Sequence, residues 1–248
     1  MILLSPTDSQ IRQVLRGFLQ AVLPSTVEVV LGQDNLVPEP VSTDFVVMTR
    51  MGSGRLTTSV DAYADVAYEA SISGDVMTVT EVLLGEVLVG ATVFGTGVTT
   101  GTVITSAITG AGGTGTYGVT PTQNVAASVL ASGTASAMME TEVLYQCDVH
   151  GPNSNDNAEL IATLFRDLWG TEEFWRVAEA AGITTGLITP LHADDPKQVP
   201  FVNAEDQWEY RWVVEAHIQA NQTALNIPQE FADVLAVTLS EVDATFPP

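Results

Sequence analysis

The chain has 248 residues, of which 46% are hydrophobic, so it can bury one large core or two ordinary ones. Eight basic residues against 30 acidic ones give a formal net charge of −22, which disfavours a dedicated nucleic-acid site because phosphate binding depends on Lys and Arg. No apolar run reaches the roughly 18 residues of a membrane-spanning helix, and the start lacks a signal-peptide pattern, so we expect a soluble protein without a membrane partner. The single cysteine, Cys147, excludes an internal disulfide framework.

The N-terminal part predicts one helix followed by two strands. Residues 5–8 have the form of a capping box with Pro at the first helical position, and the helix is expected to end at Pro24. Its buried face repeats at helical spacing and comprises Ile11, Val14, Leu15, Phe18, Leu19 and Val22. Strands are expected over 27–32 and 43–50, separated by the proline-rich loop 32–42.

The middle of the chain predicts a strand and two helices. Residues 142–149 alternate, with Val143, Tyr145, Cys147 and Val149 on the buried face. A helix is expected from Asp156, or a neighbouring Asn, to about Trp169. Its predicted buried stripe is Leu160, Ile161, Leu164, Phe165 and Leu168. A shorter helix over 172–181 is expected to stop at Gly182, because glycine closes helices in the left-handed conformation.

The last third predicts mainly strands. One long strand over 208–219 would have a buried face and a solvated face. The buried face would hold Trp208, Tyr210, Trp212, Val214, Ala216 and Ile218, and the solvated face Glu209, Arg211, Glu215, His217 and Gln219. A final strand over 233–242 would pair beside it. Together the elements predict an α+β fold, with helices on one face of a mixed or antiparallel sheet.

Residues 72–133 follow a different compositional rule. No Lys or Arg occurs between Arg55 and Arg166, and the segment alternates β-branched residues with Gly, Ser and Thr. Frequent turn signals predict a small all-β sandwich or barrel. We therefore expect a discontinuous α+β domain, residues 1–71 and 134–248, that is interrupted by an all-β domain at 72–133.

Two polar patterns could suggest a site, and both have a simpler explanation. Cys147, Asp148 and His150 could form a thiol or metal site, but strand alternation turns Cys147 away from the other two, so a buried structural cysteine is expected. The run 95–101 superficially suggests a phosphate loop, but its spacing does not fit and no helix is expected after it. Glycine turns between short strands are the favoured interpretation.

The other histidines are scattered along the sequence. His192 lies beside Asp194 and Asp195 in a predicted loop, whereas His217 falls on the solvated face of a strand. A nucleophile elbow and a P-loop lysine are both absent from the sequence. We therefore predict no catalytic residue, no cofactor and no metal site, and we interpret the protein as a non-enzyme.

Three segments together resemble the tail terminator proteins of tailed bacteriophages, also known as neck or head-tail terminator proteins. They are 18–24, the block 145–167 and the strand 209–221. The block is the most specific, since a strand leads into Gly-Pro, a polar cap and a helix that ends in Arg-Asp. The positions that match the family motif, in structural roles, are Asp148, Gly151, Pro152, Asn153, Arg166 and Asp167. The resemblance covers nearly all of the chain outside 72–133.

The resemblance implies a virion structural protein that forms a ring, commonly of six subunits, at the head-proximal end of the tail tube. Such a ring stops tube growth and joins the tail to the neck. The expected partners are further copies of the chain, the tail tube protein, the head-tail connector and neck proteins, and a sheath where the tail has one. The protein would assemble in the host cytoplasm and reside in the virion. DNA would pass through the lumen without specific binding, which acidic side chains would assist by repelling phosphate.

Residues 72–133 are similar to a small all-β module that recurs inside phage structural proteins, and we expect it to project outward from the ring. An alternative function is a glycan-binding or adhesion module of a virion. That function would need Trp208, Tyr210 and Trp212 to be exposed as a sugar platform, whereas burial in the sheet core is the favoured prediction.

Overall fold

The computed structural model describes residues 2–32, 40, 42–202 and 208–229, and of residues 201 and 228 only the backbone. These residues contain three helices and twelve strands, ten of which form one mixed sheet. Contacts divide the chain into two compact units. The first, 4–60 with 138–223, contains all three helices and is called the helical unit. The second, 1–3 with 61–137 and 224–248, is called the β unit.

The centre of the sheet in the helical unit is the end of one very long strand. Strand β2 (Glu28–Leu31) runs parallel to β3 (Phe45–Arg55), which pairs antiparallel with the C-terminal part of β7 (Gly115–His150). Along β3 the register runs from Phe45 opposite His150 to Arg55 opposite Thr141, with a bulge between Arg50 and Gly52. The two strands predicted before the insertion and the strand predicted over 142–149 are thereby confirmed.

The other side of β7 is covered by the strands of the C-terminal part. Strand β12 (Arg211–Pro228) is the neighbour of β7, and β1 (Leu3–Ser5) is the neighbour of β12. Strands β8 (Ile188–Ala193) and β9 (Lys197–Gln198) pair antiparallel with β12. Strands β10 (Phe201–Val202) and β11 (Trp208–Glu209) form a separate antiparallel pair.

Helix α1 (Asp8–Val22) confirms the predicted N-terminal helix, and all six apolar residues of its predicted face are buried. The predicted start is wrong, because Pro does not occupy the first helical position. Thr7 is the N-cap: its Oγ1 accepts a hydrogen bond from the Gln10 N–H at 3.3 Å, and the Gln10 side chain accepts one from the Thr7 N–H at 2.7 Å. The capping box therefore joins Thr7 to Gln10.

The two later helices have different boundaries from those predicted. Helix α2 (Ser154–Phe165) is shorter than expected and α3 (Leu168–Ala180) begins earlier, because the Asp167 side chain accepts a hydrogen bond from the Trp169 N–H at 2.9 Å and caps α3. Leu168 therefore starts a new helix and is 71% exposed, so its predicted burial is wrong. Leu160, predicted in the same buried stripe, is also exposed. Gly182, at φ +72°, follows the end of α3 as predicted.

The three helices and the sheet share one core. Phe18, Phe165 and Phe174 are buried against one another with ring centroids 4.9–5.4 Å apart. The side of β7 that was predicted to be buried contacts this core. All four of its residues, Val143, Tyr145, Cys147 and Val149, are fully buried. Burying each large apolar side chain stabilises the fold by about 1.5–3 kcal/mol, so this core is the main source of stability in the helical unit.

The long aromatic strand predicted over 208–219 is only partly confirmed. Val214, Ala216 and Ile218 are buried as predicted, but Trp208 is 77% and Tyr210 63% exposed. The reason is a break at Tyr210, which lies between β11 and β12 and whose carbonyl accepts a hydrogen bond from the Gly151 N–H at 3.1 Å. The predicted strand over 233–242 and most of the loop 32–42 lie outside the described residues.

The β unit has a core of its own. It is built from β4 (Val60–Leu84), β5 (Thr92–Phe94), β6 (Val103–Ala107) and the N-terminal part of β7, around buried side chains that include Tyr68, Met77, Ile104 and Tyr117. The run 95–101 connects β5 to β6 without a helix, as predicted. The structure shows no separate inserted β domain at 72–133, because β4 continues through residue 72 and β7 through residue 133.

Candidate functional site

Four of the six motif positions, Asp148, Gly151, Pro152 and Asn153, lie where β7 ends and α2 begins, and the other two follow the end of α2. Gly151 has a φ of +104°, and a Cβ atom there would lie 2.3 Å from the Thr43 carbonyl oxygen. A side chain is therefore excluded by both the backbone conformation and the neighbouring chain. Pro152, the next residue, is exposed. The Gly-Pro pair thus makes the sharp exit from the sheet.

Asn153 connects this turn to the start of β3. It is the N-cap of α2, but its side chain makes no capping hydrogen bond. Its backbone N–H donates to Asp44 Oδ1 at 3.0 Å, and its Nδ2 donates to Asp44 Oδ2 at 2.9 Å. These two hydrogen bonds to the Asp44 carboxylate hold the start of α2 beside the start of β3. The predicted cap, Asp156 or an Asn beside it, is therefore wrong, because α2 begins earlier and Asp156 lies in its first turn.

Asp148 joins β7 to β12 through a charged contact. It is buried, and its Oδ1 accepts hydrogen bonds from Arg211 Nη2 at 2.6 Å and Nε at 3.0 Å. Gln146 Nε2 donates to the same carboxylate at 2.9 and 3.0 Å. Strand alternation predicted Arg211 on a solvated face, but its guanidinium forms an ion pair with the buried Asp148 carboxylate.

His150 and Cys147 lie on opposite faces of β7, as predicted. The His150 ring stacks on Phe45 with centroids 4.6 Å apart, and burial lowers the pKa of this histidine. Cys147 is fully buried, and burial, followed by the nearby Asp148 charge, raises the pKa of its thiol to about 12. The expected buried structural cysteine is confirmed in its burial, and the raised pKa disfavours the reactive thiolate.

Arg166 and Asp167 connect the end of α2 to β8. Arg166 Nε donates to the Ala193 carbonyl at 2.7 Å, and its Nη2 lies 2.9 Å from Asp195 Oδ1. Asp167 caps α3 as described above. Asp148, Gly151, Asn153 and Arg166 thus each make a contact that joins one element to another, and Asp167 caps α3. The significance of all six motif positions for the family stays a prediction.

A second group of polar side chains was missed by sequence reasoning. His192 lies in β8 rather than in a loop, opposite His217 of β12, and the two rings stack with centroids 4.1 Å apart. His217 Nδ1 lies 2.5 Å from Glu142 Oε1, and both histidines face Asp194. We call these four residues the histidine cluster. The pairing of β12 with both β8 and β7 brings them together, so their spacing along the chain did not predict the cluster.

The third feature is an exposed aromatic surface. Trp208 and Tyr210, with Gln198, Pro200 and Glu209, line an open cavity of about 320 Å³. Exposed large aromatic side chains are common at protein interfaces and at sugar-binding sites, because they combine an apolar face with a polar group. This surface is therefore a candidate contact for a partner.

The comparison with protein families decides what kind of protein carries these features. A family model described as phage neck terminator protein matches residues 99–244, which is more than half of the chain. The chain belongs to this family. No curated protein sequence matches the chain. As a neck terminator family protein, it is a structural component of the phage neck or tail, and its family is not an enzymatic one.

The region of the chain that matches the neck terminator family includes all six motif positions. It also begins inside the segment that the sequence assigned to an inserted module, so residues 99–133 belong to the family match. The resemblance had been placed outside 72–133. Among the residues that the structure describes, no helix has the length and apolar character needed to cross a membrane.

Proposed function

We propose that the protein is a tail terminator that forms a ring of six subunits at the head-proximal end of the tail tube. The ring stops tube polymerisation and joins the tail to the connector. The observation that supports this proposal is the family match over 99–244, which contains the structured junction of β7 and α2. The partners would be the tail tube protein, the connector and neck proteins, and the sheath of a contractile tail.

Contacts between subunits would use the end of β3. Residues 51–60 are all exposed, and they include the apolar side chains Met51, Leu56 and Val60. Residues 52–55 pair with β7 on one side only, since no strand in the described part of the chain covers their other edge. An open edge with apolar side chains favours pairing with a strand from another copy of the chain. Loop exchange through 32–42 would add to this contact.

The strong negative charge fits a ring that DNA passes through. Acidic side chains on the lumen would repel the phosphate backbone, so the genome would move without binding. The net charge of −22 leaves ample acidic residues for such a lining. A lumen lined by arginine in a structure of the ring would contradict this part of the proposal.

Light scattering combined with negative-stain imaging tests the ring. We expect discrete rings, either free or only on the ends of added tail tubes, and shorter tubes when the protein is present during tube polymerisation. Leu56→Asp should reduce ring formation, because it places a charge in the proposed contact. Leu168→Asp is the matched control, since Leu168 is an exposed leucine on α3 and outside this contact. A protein that stays monomeric and does not affect tail tubes would contradict the proposal.

The exposed aromatic surface favours a second candidate function, glycan binding. Trp208 and Tyr210 are exposed as a sugar platform requires, whereas Trp212, the third residue of the expected platform, is partly buried against the core. Tryptophan fluorescence measured during titration with bacterial surface glycans tests it. A saturable shift in the wild type that is lost in Trp208→Ala would support the adhesion module, whereas an unchanged spectrum would exclude this surface as the binding site.

A further inference from the structure

The donor atoms of His192, Asp194 and His217 converge. One donor atom from each residue lies within 4.8 Å of the others. His192 Nε2 is 4.0 Å and His217 Nε2 is 3.9 Å from the same oxygen, Oδ1 of Asp194. Ligands bound to one ion at about 2.0–2.2 Å stand about 3–4 Å apart, so these three atoms are already close to the spacing of a coordination sphere.

Glu142 orients one of the three donors. His217 Nδ1 is 2.5 Å from Glu142 Oε1, and since an ionised carboxylate only accepts hydrogen bonds, Nδ1 is the donor and Nε2, which faces Asp194, is left to bind an ion. Metal-binding histidines commonly donate their second N–H to a carboxylate, which fixes the tautomer and the ring orientation. Glu142 lies on β7, which places the orienting residue on a different strand from the donors.

The two rings need a small adjustment to share an ion. They lie nearly parallel, with an interplanar angle of 13°, because His192 and His217 are paired directly across β8 and β12. The His192 side chain is 52% exposed, so its ring can rotate towards Asp194 without disturbing the core. A register shift directly after His217 gives β12 further freedom at this position.

We propose that His192, Asp194 and His217 bind one divalent transition-metal ion, with Glu142 as the positioning residue for His217. Two imidazoles and one carboxylate suit Zn²⁺, Co²⁺ or Ni²⁺, whereas Mg²⁺ and Ca²⁺ prefer oxygen ligands alone. The ion would link β8 and its following residues to β12. Binding to the folded state alone would stabilise the helical unit, by an amount that rises with the logarithm of the metal concentration once this exceeds the dissociation constant.

Titration of the EDTA-treated full-length protein with Zn²⁺ tests the site. Calorimetry should give one ion per chain, and the melting temperature should rise with Zn²⁺ but not with Mg²⁺ at the same concentration. Asp194→Asn and His192→Asn should each lower the Zn²⁺ affinity at least tenfold. Glu142→Gln should lower it by about 10–100-fold, as expected for an orienting partner. Co²⁺ should give the visible absorption bands of a tetrahedral site with nitrogen ligands.

Asp195→Asn is the matched control. Asp195 is the next carboxylate in the chain, its side chain is 88% exposed, and it pairs with Arg166 rather than with the histidines. Its replacement should leave the Zn²⁺ affinity unchanged. The proposal is overturned if the wild type binds no Zn²⁺ stoichiometrically, or if Asp195→Asn and Asp194→Asn weaken binding equally, which would indicate a diffuse charge effect. Melting of each metal-free variant near the wild-type temperature establishes that the variants fold.

Discussion

At the scale of single residues, Gly151 makes the most specific prediction. Gly151→Ala should destabilise the protein by about 2–4 kcal/mol, because the methyl group adds left-handed strain and meets the Thr43 carbonyl. Gly182→Ala is the control, since Gly182 also has a positive φ but no atom within 4 Å of an added Cβ. Its cost should be about 1–2 kcal/mol. Urea unfolding measures both, and equal costs would show that the contact with Thr43 does not matter.

We expect the free energy of unfolding to depend on pH through the buried His150. Burial lowers its pKa from the ordinary value of 6.5, so the unfolded chain takes up a proton more readily than the folded protein. Its contribution to stability is therefore present above about pH 6.5 and is lost as the pH falls towards the lowered pKa. His150→Gln should cost less free energy of unfolding at pH 5 than at pH 7.5. Urea unfolding at the two pH values tests this, and a cost that is equal or larger at pH 5 would contradict it.

At the scale of elements, the contact between Asp148 and Arg211 holds β7 to β12. The Asp148 side chain is nearly buried, so removing one partner leaves a charge that is poorly compensated. A double-mutant cycle with Asp148→Asn and Arg211→Gln should give a coupling free energy of about 1–3 kcal/mol. The double variant should be more stable than the sum of the two single losses predicts. Additive losses would show that the two side chains contribute independently.

The elements also show what the sequence could predict. Helix α1 and the buried faces of β7 and β12 followed from periodicity, because in each the apolar residues repeat on the face that contacts the core. The aromatic residues 208–210 continued the same alternation, but their backbone leaves the ladder at Tyr210, which periodicity cannot reveal. The start of α3 depended on whether Asp167 caps a new helix, a local choice that the apolar pattern did not decide.

The two candidate sites also differ in how far the sequence could predict them. The motif at 148–153 is continuous in sequence, so it could be recognised before the fold was known. The histidine cluster combines residues from β7, β8 and β12, and the pairing of His192 with His217 depends on the register of two strands. Since the sequence placed His192 in a loop, it predicted no cluster. Tertiary pairing, rather than any spacing, created the site.

At the scale of the whole molecule, the two compact units suggest that the helical unit folds without the β unit. Each unit has its own core, and the three phenylalanines that pack together, Phe18, Phe165 and Phe174, all lie in the helical unit. The strands that lead into and out of the β unit are adjacent, since the Leu56 N–H donates to the Glu140 carbonyl at 3.0 Å. Removing residues 60–137, which hold the core of the β unit, would therefore leave 57–59 and 138–139 as a five-residue hairpin connection, a length that natural hairpins use.

We expect this deletion variant to fold, with a cooperative urea transition and a lower m value, because less surface is exposed on unfolding. If the β unit only projects from the ring, the variant should also form rings and bind the ends of tail tubes in negative stain. A folded variant that remains monomeric would show that the β unit takes part in subunit contacts. An unfolded variant would show that the helical unit depends on the β unit for its stability, in contrast to the independent cores that motivate the experiment.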